Sequence, residues 1–289
     1  MPSAWPGRNT TFVLPVRQND VATRNCLDGN MTDLGHNPRE QIQLGNRWYV
    51  DDQFQVQMGH PGSREVIQNR WRIFEDAIEQ WLKDQRRDVK PLRFLDAGCG
   101  DGINLLGLAQ IAGHLGIEPE IYGVDYNYLR VDRARKISGV HDAIQARLDE
   151  LPFPDGFFDL VLCNHVLEHI PEDMPVVKDL RRVTALGGLL IVGVPNEGCL
   201  MGQIRNHLLQ RSILRQTDHV HFHTERTLSG LILDEDFRLV KVEHYGFLTP
   251  HGAVHYLVSM TRLGRYLLRR LGASFPSQSA DLILVARRT

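Results

Sequence analysis

Three glycines at alternate positions, Gly98, Gly100 and Gly102, follow an apolar run that ends in the acid Asp96. A second apolar run further along the chain ends in another acid, Asp125. A strand, a glycine turn, a helix and a second strand closed by a carboxylate are typical of a nucleotide-binding βαβ unit. Glycines let backbone N–H groups approach a ligand closely, and the carboxylate of Asp125 can accept both hydroxyls of a ribose. These residues therefore predict a site for a ligand that contains a ribose.

The spacing of the glycines narrows the choice of ligand. A dinucleotide fingerprint requires a glycine at position 103, where this chain has Ile103, and no Lys-Ser or Lys-Thr of a phosphate loop follows the turn. No lysine or arginine lies between Gly98 and Gly123 to meet a phosphate. S-adenosylmethionine has a ribose without phosphates, and its sulfonium and amino-acid tail make one end cationic. We expect Asp96 to lie near that end.

Composition and charge exclude several other classes. The chain has 289 residues, and 33 Lys and Arg against 35 Asp and Glu give a net charge of −2, so no overall field attracts nucleic acid. Four cysteines, at positions 26, 99, 163 and 199, form no C-x-x-C pair, which is typical of reduced thiols in the cytosol. Neither the apolar core of a signal peptide nor a run of membrane-spanning length is present. We therefore expect a soluble cytoplasmic protein.

Alternating strand and helix patterns predict an α/β fold. Strands are expected at 93–96, 121–125, 143–146, 158–164, 189–194, 237–247 and 280–286, and helices at 63–83, 103–115, 129–137, 173–183, 225–233 and 256–271. Strict alternation indicates a parallel sheet that is covered on both faces. The last two strands break the alternation and suggest a final antiparallel pair. The prediction is a seven-stranded, mostly parallel, doubly wound sheet with an antiparallel last strand.

The domain organisation follows from the same pattern. Residues 1–62 are polar and rich in turn signals in their first part, and they are expected to form an N-terminal arm. Residues 63–289 form the main domain, with insertions at about 198–218 and 249–279, the second of which contributes a helical lid.

Several sequence blocks carry a resemblance to a known family. Residues 95–102 (LDAGCGDG), 151–159 (LPFPDGFFD), 166–170 (VLEHI), 187–196 (GGLLIVGVPN) and 219–224 (HVHFHT) are similar to successive motifs of the class I S-adenosylmethionine-dependent methyltransferases. The resemblance covers about residues 65–247 and the last strand. It implies a Rossmann-like fold, S-adenosylmethionine as the methyl donor, and a small-molecule acceptor.

The resemblance also implies a set of cofactor-binding residues. They are Asp96, Gly98, Cys99, Gly100, Gly102, Asp125, Tyr126, Leu148, Asp149 and Asn164. One departure concerns adenine, whose amino group in the family commonly meets an acid four residues before the Leu-Pro-Phe block. That position here is Arg147, so the backbone N–H of Leu148 or a shifted carboxylate from Asp149 would have to serve.

Histidines near the predicted carboxyl edge of the sheet are the candidate general bases, because their pKa lies near neutrality. His165 ends the fourth strand, and His221 stands between His219 and His223 in an alternating run whose side chains share one face if extended. His169 is expected to be a structural hydrogen-bonding residue. Some phenol methyltransferases that this chain resembles use a divalent cation near the Glu-His after the fourth strand. No metal is assigned here, because oxygen-binding cations prefer carboxylates and only Glu168 and Asp218 are close in sequence to these histidines.

The stretch 256–271 has an amphipathic pattern. Leucines and Met260 fall on one broad face and four arginines supply much of the polar remainder. The favoured interpretation is a lid that packs on the sheet edge, and the alternative is a peripheral contact with a membrane or a lipid-like acceptor.

Three functions are compatible with these patterns. The leading hypothesis is methyl transfer to a hydroxyl or amine of a small molecule such as a sugar, phenol, lipid-like compound or secondary metabolite. An RNA-modifying methyltransferase is the first alternative, although residues 164–167 (NHVL) lack the Asn/Asp-Pro-Pro-aromatic tetrad of amino-group nucleic-acid methylases. A non-catalytic partner protein that binds S-adenosylmethionine is the second. The patterns do not specify the acceptor or the oligomeric state.

Overall fold

A computed structural model describes residues 50–84, 91–209, 218–247 and 249–289. Its strands are β1 Arg93–Ala97, β2 Glu120–Asp125, β3 Asp142–Gln145, β4 Phe158–Asn164, β5 Thr184–Pro195, β6 Phe237–Tyr245 and β7 Asp281–Arg288. They form one seven-stranded sheet in the order β3-β2-β1-β4-β5-β7-β6. Neighbours from β3 to β5 are parallel, and β7 is antiparallel to both β5 and β6. This confirms the predicted sheet, including its antiparallel last strand.

Helices cover both faces of the sheet. They are α1 Gln53–Gly59, α2 Pro61–Asp84, α3 Ile103–Leu115, α4 Tyr128–Ala134, α5 Asp173–Val183, α6 Leu200–Ile204, α7 Glu225–Ile232, α8 Gly252–Ser259 and α9 Arg262–Ser274. One face packs against α1 to α4 in a core that includes Trp71 and Phe94. The other face packs against α5 and α7 in a core that includes Leu228 and Leu95. Burial from both sides explains why β4 reads as a continuous apolar run.

The helix α2 is set close to α3 by a glycine. A Cβ atom at Gly107 would lie 2.4 Å from Nε1 of Trp71, whose side chain is fully buried. A larger residue at 107 would therefore push α2 away from the sheet. This close contact fixes the position of Arg70, the neighbour of Trp71, near the end of β1.

Element boundaries differ from the prediction at several points. The helix α2 begins at Pro61, two residues before the predicted start, since proline suits the first turn of a helix. The strand β5 begins at Thr184, five residues before the predicted start. The predicted helix 256–271 is divided into α8 and α9. The division occurs at Thr261, whose hydroxyl accepts a hydrogen bond from Gly264 N (2.9 Å) and so begins a new helix.

The first described residues lie over the glycine turn. The backbone N–H of Gln53 donates to Asp101 Oδ2 (2.9 Å), and Arg133 donates both to Asp101 Oδ1 (2.9 Å) and to the carbonyl of Val50 (2.7 Å). The segment that leads into α1 is thus anchored to Asp101 in the glycine turn. The rest of the predicted arm, 1–49, and Cys26 within it lie outside the described residues.

Within the described ranges, no helix has the length and apolar character needed to cross a membrane.

Candidate active site

The glycine turn joins β1 to α3 in a conformation that favours glycine. Gly98, Gly100 and Gly102 have φ angles of +79°, +52° and +89°. A Cβ atom at Gly98 would lie 2.3 Å from a methyl of Val166, and one at Gly102 would lie 2.8 Å from the side chain of Ile137. Gly102 is the N-cap of α3, so the N-terminus of this helix faces the turn. The positive end of the helix dipole therefore faces the predicted ligand.

Asp125 stands at the end of β2 with its carboxylate in the turn. It accepts hydrogen bonds from Gly100 N (2.9 Å) and from Asn127 N (2.8 Å), one on each oxygen. Burial raises its pKa, an effect that these two donors and the charge of Arg130 oppose. Each carboxylate oxygen keeps a second lone pair, so Asp125 can still accept the hydroxyls of a ribose.

Asp96 is fully buried beneath the turn. Neither of its carboxylate oxygens has a hydrogen-bond partner among the described residues. Burial raises its pKa to about 8, and the charge of Arg70 opposes this shift. A buried carboxyl group without a partner is costly, and a bound cation would relieve that cost. The site therefore fits the cationic end of S-adenosylmethionine.

Three further predicted cofactor residues surround the turn. Asn164 ends β4, and its buried Oδ1 atom makes no hydrogen bond to the described residues, although its amide lies against Gly193. The thiol of Cys99 is buried under the turn, and burial raises its pKa well above the ordinary value, so it packs as a neutral group. Tyr126 follows Asp125 with a ring that is 45% exposed, which suits a cover for a flat base.

Two of the residues near the predicted adenine position, Arg147 and Asp149, are paired with each other. Arg147 Nε donates to Asp149 Oδ1 (2.9 Å), and a second guanidinium nitrogen donates to Oδ2 of the same carboxylate. This hydrogen-bonded pair holds the pKa of Asp149 below its usual range. The side chain of Leu148 is buried between them. Asp149 would have to exchange Arg147 for the adenine amino group, whereas the backbone N–H of Leu148 stays a predicted contact.

His165 directly follows β4 and is held between two carboxylates. Its φ angle is +56°, Nδ1 lies 3.3 Å from Glu168 Oε1, and Nε2 lies 3.1 Å from Asp281 Oδ1. Burial lowers the pKa of the imidazole, but Asp281 and then Glu168 outweigh this and raise it to about 9. The ring is therefore an imidazolium at neutral pH, with both N–H groups directed at carboxylates.

Sequence reasoning missed three residues that connect His165 to the cofactor side. Asp281 begins β7 and is the register partner of Tyr245 on β6. Burial raises the pKa of Tyr245, the charge of Asp281 adds to this shift, and the charge of Arg70 opposes it. The hydroxyl makes no hydrogen bond to the described residues. The charge of Arg70 in turn reaches Asp96. The charges of Arg70 and Asp281 thus act on groups between the glycine turn and His165, and we call Asp96, Arg70, Tyr245, Asp281 and His165 the polar row.

The histidines of the 219–223 run do not share one face. His219 Nδ1 lies 2.7 Å from Glu197 Oε2, whereas His221 Nε2 is 3.2 Å from the carbonyl of Pro171 and its ring lies near that of His223. The segment is not a strand, because Glu168 O accepts bonds from two successive backbone N–H groups at 220 and 221. His221 and His223 line an open cavity of about 250 Å³ between α5 and α7. The structure therefore does not place the two predicted bases, His165 and His221, in one cluster.

Comparisons with known proteins agree with this fold. A family described as "Methyltransferase domain" matches residues 95–192. A demethylmenaquinone methyltransferase of Geobacillus kaustophilus (strain HTA426) is 30% identical over 58% of this chain and 68% of that protein. A chloroplastic tocopherol O-methyltransferase of Arabidopsis thaliana is also 30% identical, over 50% of this chain and 41% of that protein. A crystal structure of an S-adenosylmethionine-dependent methyltransferase from Archaeoglobus fulgidus has a TM-score of 0.55 at 20% identity and covers 82% of this chain and 100% of that one.

The chain belongs to the class I S-adenosylmethionine-dependent methyltransferases. It is an enzyme of that class, and its methyl donor is S-adenosylmethionine. When bound, the donor supplies a methyl group that is already electrophilic because it is carried on a sulfonium.

Proposed function

We propose that this enzyme methylates a hydroxyl or amine of a small-molecule acceptor by in-line displacement. The acceptor atom forms a bond to the methyl carbon, the carbon–sulfur bond breaks, and S-adenosylhomocysteine leaves as the acceptor loses its proton. Alignment of the two reacting atoms supplies much of the rate in such reactions. The observation that carries this proposal is the position of His165, which pairs with Asp281 and Glu168 directly after β4, the strand that neighbours β1 and its glycine turn.

His165 is the predicted base that we retain in this proposal. It follows β4, where ligands bind in open α/β sheets, and it belongs to the polar row. Because Asp281 and Glu168 keep its ring cationic at neutral pH, His165 accepts the proton of an acceptor only after one of its own N–H protons has passed to Asp281, to Glu168 or to solvent. The role of His221 as a base stays a prediction, which its substitution in a methyl-transfer assay tests. Its Nε2 atom lies near the carbonyl of Pro171.

An apolar acceptor is the chemical class that we favour. The relatives named above carry the names of quinone and tocopherol methyltransferases. In this chain, α8 and α9 expose a set of large apolar side chains, and their exposed residues are Val254, Tyr256, Leu257, Met260, Leu263, Tyr266, Leu267 and Leu271. Surface apolar residues that cluster in this way mark an interaction face.

Exposed arginines accompany that apolar face. Arg262, Arg269 and Arg270 lie on α9, and Arg265 and Arg269 pair with Glu65 to hold α9 against α2. Basic residues beside apolar ones are typical of helices that lie in the interface of an anionic membrane. We therefore propose that α8 and α9 contact a lipid surface, from which the acceptor enters.

The test is a methyl-transfer assay with S-adenosylmethionine labelled in the methyl group. The substrates are a panel of reduced quinones, simple phenols, sugars and total RNA, each incubated separately with the full chain. We expect label in a quinol or phenol. Label in RNA alone would favour the nucleic-acid alternative, and absence of S-adenosylhomocysteine binding by calorimetry would contradict the enzyme assignment itself.

A further inference from the structure

We propose that His219, held by Glu197, takes up the proton that His165 releases during methyl transfer, and that Glu168 carries this proton between the two histidines. The inference rests on the proposed function, in which His165 is the base. Because the ring of His165 is already cationic, one of its own protons has to leave before it accepts another. The first step of a path is present, since Nδ1 of His165 lies 3.3 Å from Oε1 of Glu168.

Glu168 is the link between the two histidines. Its side chain is 1% exposed, and one of its oxygens and a ring nitrogen each of His169 and His219 all lie within 4.8 Å of one another. Burial acts to raise the pKa of its carboxyl group, but the hydrogen bond and charge of His165 outweigh burial and lower that pKa. A carboxylate with a low pKa gives a proton to a stronger base beside it. Glu168 can therefore pass a proton on without keeping it.

Glu197 prepares His219 to receive the proton. The Nδ1 atom of His219 lies 2.7 Å from Oε2 of Glu197, a buried carboxylate whose other oxygen pairs with Arg205. An ionised carboxylate can only accept a hydrogen bond, so Nδ1 carries the hydrogen and Nε2 keeps its lone pair. The same carboxylate stabilises the imidazolium that forms when Nε2 is protonated. His219 thus has the tautomer and the partner of a proton acceptor.

The charged groups around His219 favour one added positive charge. Two acids face it, Glu168 and Glu197, and the guanidinium of Arg205 lies behind Glu197. The ring of His169 meets that of His219 edge to face, with centroids 4.7 Å apart. Burial lowers the pKa of His169, so this neighbour stays neutral. The side chain of His219 is 13% exposed, which lets water remove the proton afterwards.

The main chain holds the receiving histidine beside the link. The N–H groups of Val220 and His221 both donate to the carbonyl of Glu168, at 2.8 and 3.2 Å. Glu197 comes two residues after the end of β5, and Glu168 follows the neighbouring strand β4. The path therefore joins groups that the sheet and its loops fix at one edge.

The Asp281 side of His165 offers a competing exit. The charge of Asp281 acts on the ring of His255 on α8, but no hydrogen bond or ion pair joins the two in the part of the chain that the structure describes. The other neighbour of Asp281 is the phenol of Tyr245, whose pKa burial raises, so it keeps its own proton. Shorter contacts favour the exit through Glu168.

The proton steps balance without a further reactant. The N–H bond at Nδ1 of His165 breaks as an O–H bond forms on Glu168, and that O–H bond breaks as an N–H bond forms at Nε2 of His219. The vacated Nδ1 of His165 takes the proton of the acceptor while the acceptor atom bonds to the methyl carbon and the carbon–sulfur bond breaks. The net result is one proton on His219, which passes to water.

The test measures kcat as a function of pH in His219→Ala and Glu197→Gln. The substrate is the small molecule that becomes labelled in the methyl-transfer assay described above. At pH 7 each variant should lose about tenfold or more, less than the ~100-fold loss expected for His165 itself. Above about pH 9 the ring of His165 is neutral without help, so the variants should approach the unchanged enzyme. Added imidazole should restore part of the rate of His219→Ala at pH 7.

His114→Ala is the matched control. The Nδ1 atom of His114 lies 3.2 Å from Oε1 of Glu75, so this is also a histidine–glutamate pair, but it lies in the last turn of α3, far from the glycine turn where that helix begins. Its kcat should equal that of the unchanged enzyme at every pH. Folding of each variant is checked by circular dichroism and by its affinity for S-adenosylhomocysteine.

Two results would overturn the relay while the proposed function stands. One is a kcat of His219→Ala that equals the unchanged enzyme, or a loss that is the same at pH 7 and above about pH 9, which marks a structural defect. The other is a larger loss in His255→Ala than in His219→Ala, which would place the exit on the Asp281 side. If no small molecule becomes labelled, the proposed function fails and the relay fails with it.

Discussion

The Nε2 atom of His165 lies 3.1 Å from Oδ1 of Asp281, so the residue that follows β4 is bound by the first residue of β7. Because β7 runs antiparallel, it begins at the edge where β4 and β5 end, and Asp281 is the register partner of Pro195 on β5. The strand β7 thereby places the carboxylate of Asp281 at the carboxyl edge of the parallel strands, where ligands bind in open α/β sheets.

His165 should affect turnover more than cofactor binding. We expect His165→Gln to lower the turnover of the acceptor found in the methyl-transfer screen by on the order of 100-fold, as for loss of a proton-transfer group. Its affinity for S-adenosylhomocysteine should be unchanged. The same substitution at His221 is the comparison, since that ring contacts Pro171. A larger loss in His221→Gln would move the base to the 219–223 segment.

Removal of the Asp125 carboxylate should weaken cofactor binding. Asp125→Ala loses a buried acceptor for the ribose hydroxyls and leaves Gly100 N and Asn127 N without their partner. We expect a loss of about 1–3 kcal/mol in the binding free energy of S-adenosylhomocysteine, measured by calorimetry. Asp132→Ala removes the same charge from an exposed site on α4 and should have no effect. Equal affinities for the two variants would refute the ribose assignment.

Binding of the donor should release a proton from Asp96. In the free protein, burial raises the pKa of this carboxyl group to about 8, so it is mostly neutral at pH 7. A cation placed beside it favours the carboxylate, so affinity should rise as pH increases from 6 towards 8. Calorimetry at pH 7 in two buffers of different ionisation enthalpy counts the protons released.

Two controls test whether the released proton comes from Asp96. Methylthioadenosine lacks both the sulfonium and the amino-acid tail and should release no proton. The variant Asp96→Asn should bind S-adenosylmethionine without a buffer-dependent heat. Identical heats in the two buffers for the unchanged protein would show that Asp96 does not meet the cationic end.

Gly98→Ala should destabilise the fold. The new methyl would lie 2.3 Å from Val166, and φ of +79° is unfavourable for alanine. We expect the free energy of unfolding to fall by about 1–3 kcal/mol through overpacking, with a further 1–2 kcal/mol or so from the backbone. Adding Val166→Ala should restore only the stability lost through overpacking. Gly113→Ala, within α3 and with open space around it, should be neutral or slightly stabilising.

The apolar face of α8 and α9 should bind anionic vesicles. Serine at both Leu263 and Leu267, which are 68% and 48% exposed, should abolish sedimentation of the protein with vesicles that contain phosphatidylglycerol. Leu186→Ser, at a leucine that is 79% exposed elsewhere, is the control for lost surface hydrophobicity. Vesicle binding that survives deletion of 252–276 would exclude this face as the membrane contact.

The sequence by itself determined the sheet and the donor, and it located the glycine turn between β1 and α3. Period and spacing are local properties, so the glycines at 98, 100 and 102 and the acid at 125 could be identified without coordinates. The sequence pattern did not determine where helices begin and end. The hydroxyl of Thr261 caps α9 and so divides one amphipathic stretch into two helices.

Only the tertiary structure decided the charge state of His165 and which groups surround Glu168. The antiparallel pairing of β7 places Asp281 beside His165, and the backbone N–H groups of Val220 and His221 bind the distant carbonyl of Glu168. No sequence period encodes such contacts, because they join residues that are far apart in the chain. The pKa of a buried group depends on those neighbours, so the chemistry of this edge follows from the fold and not from the motifs alone.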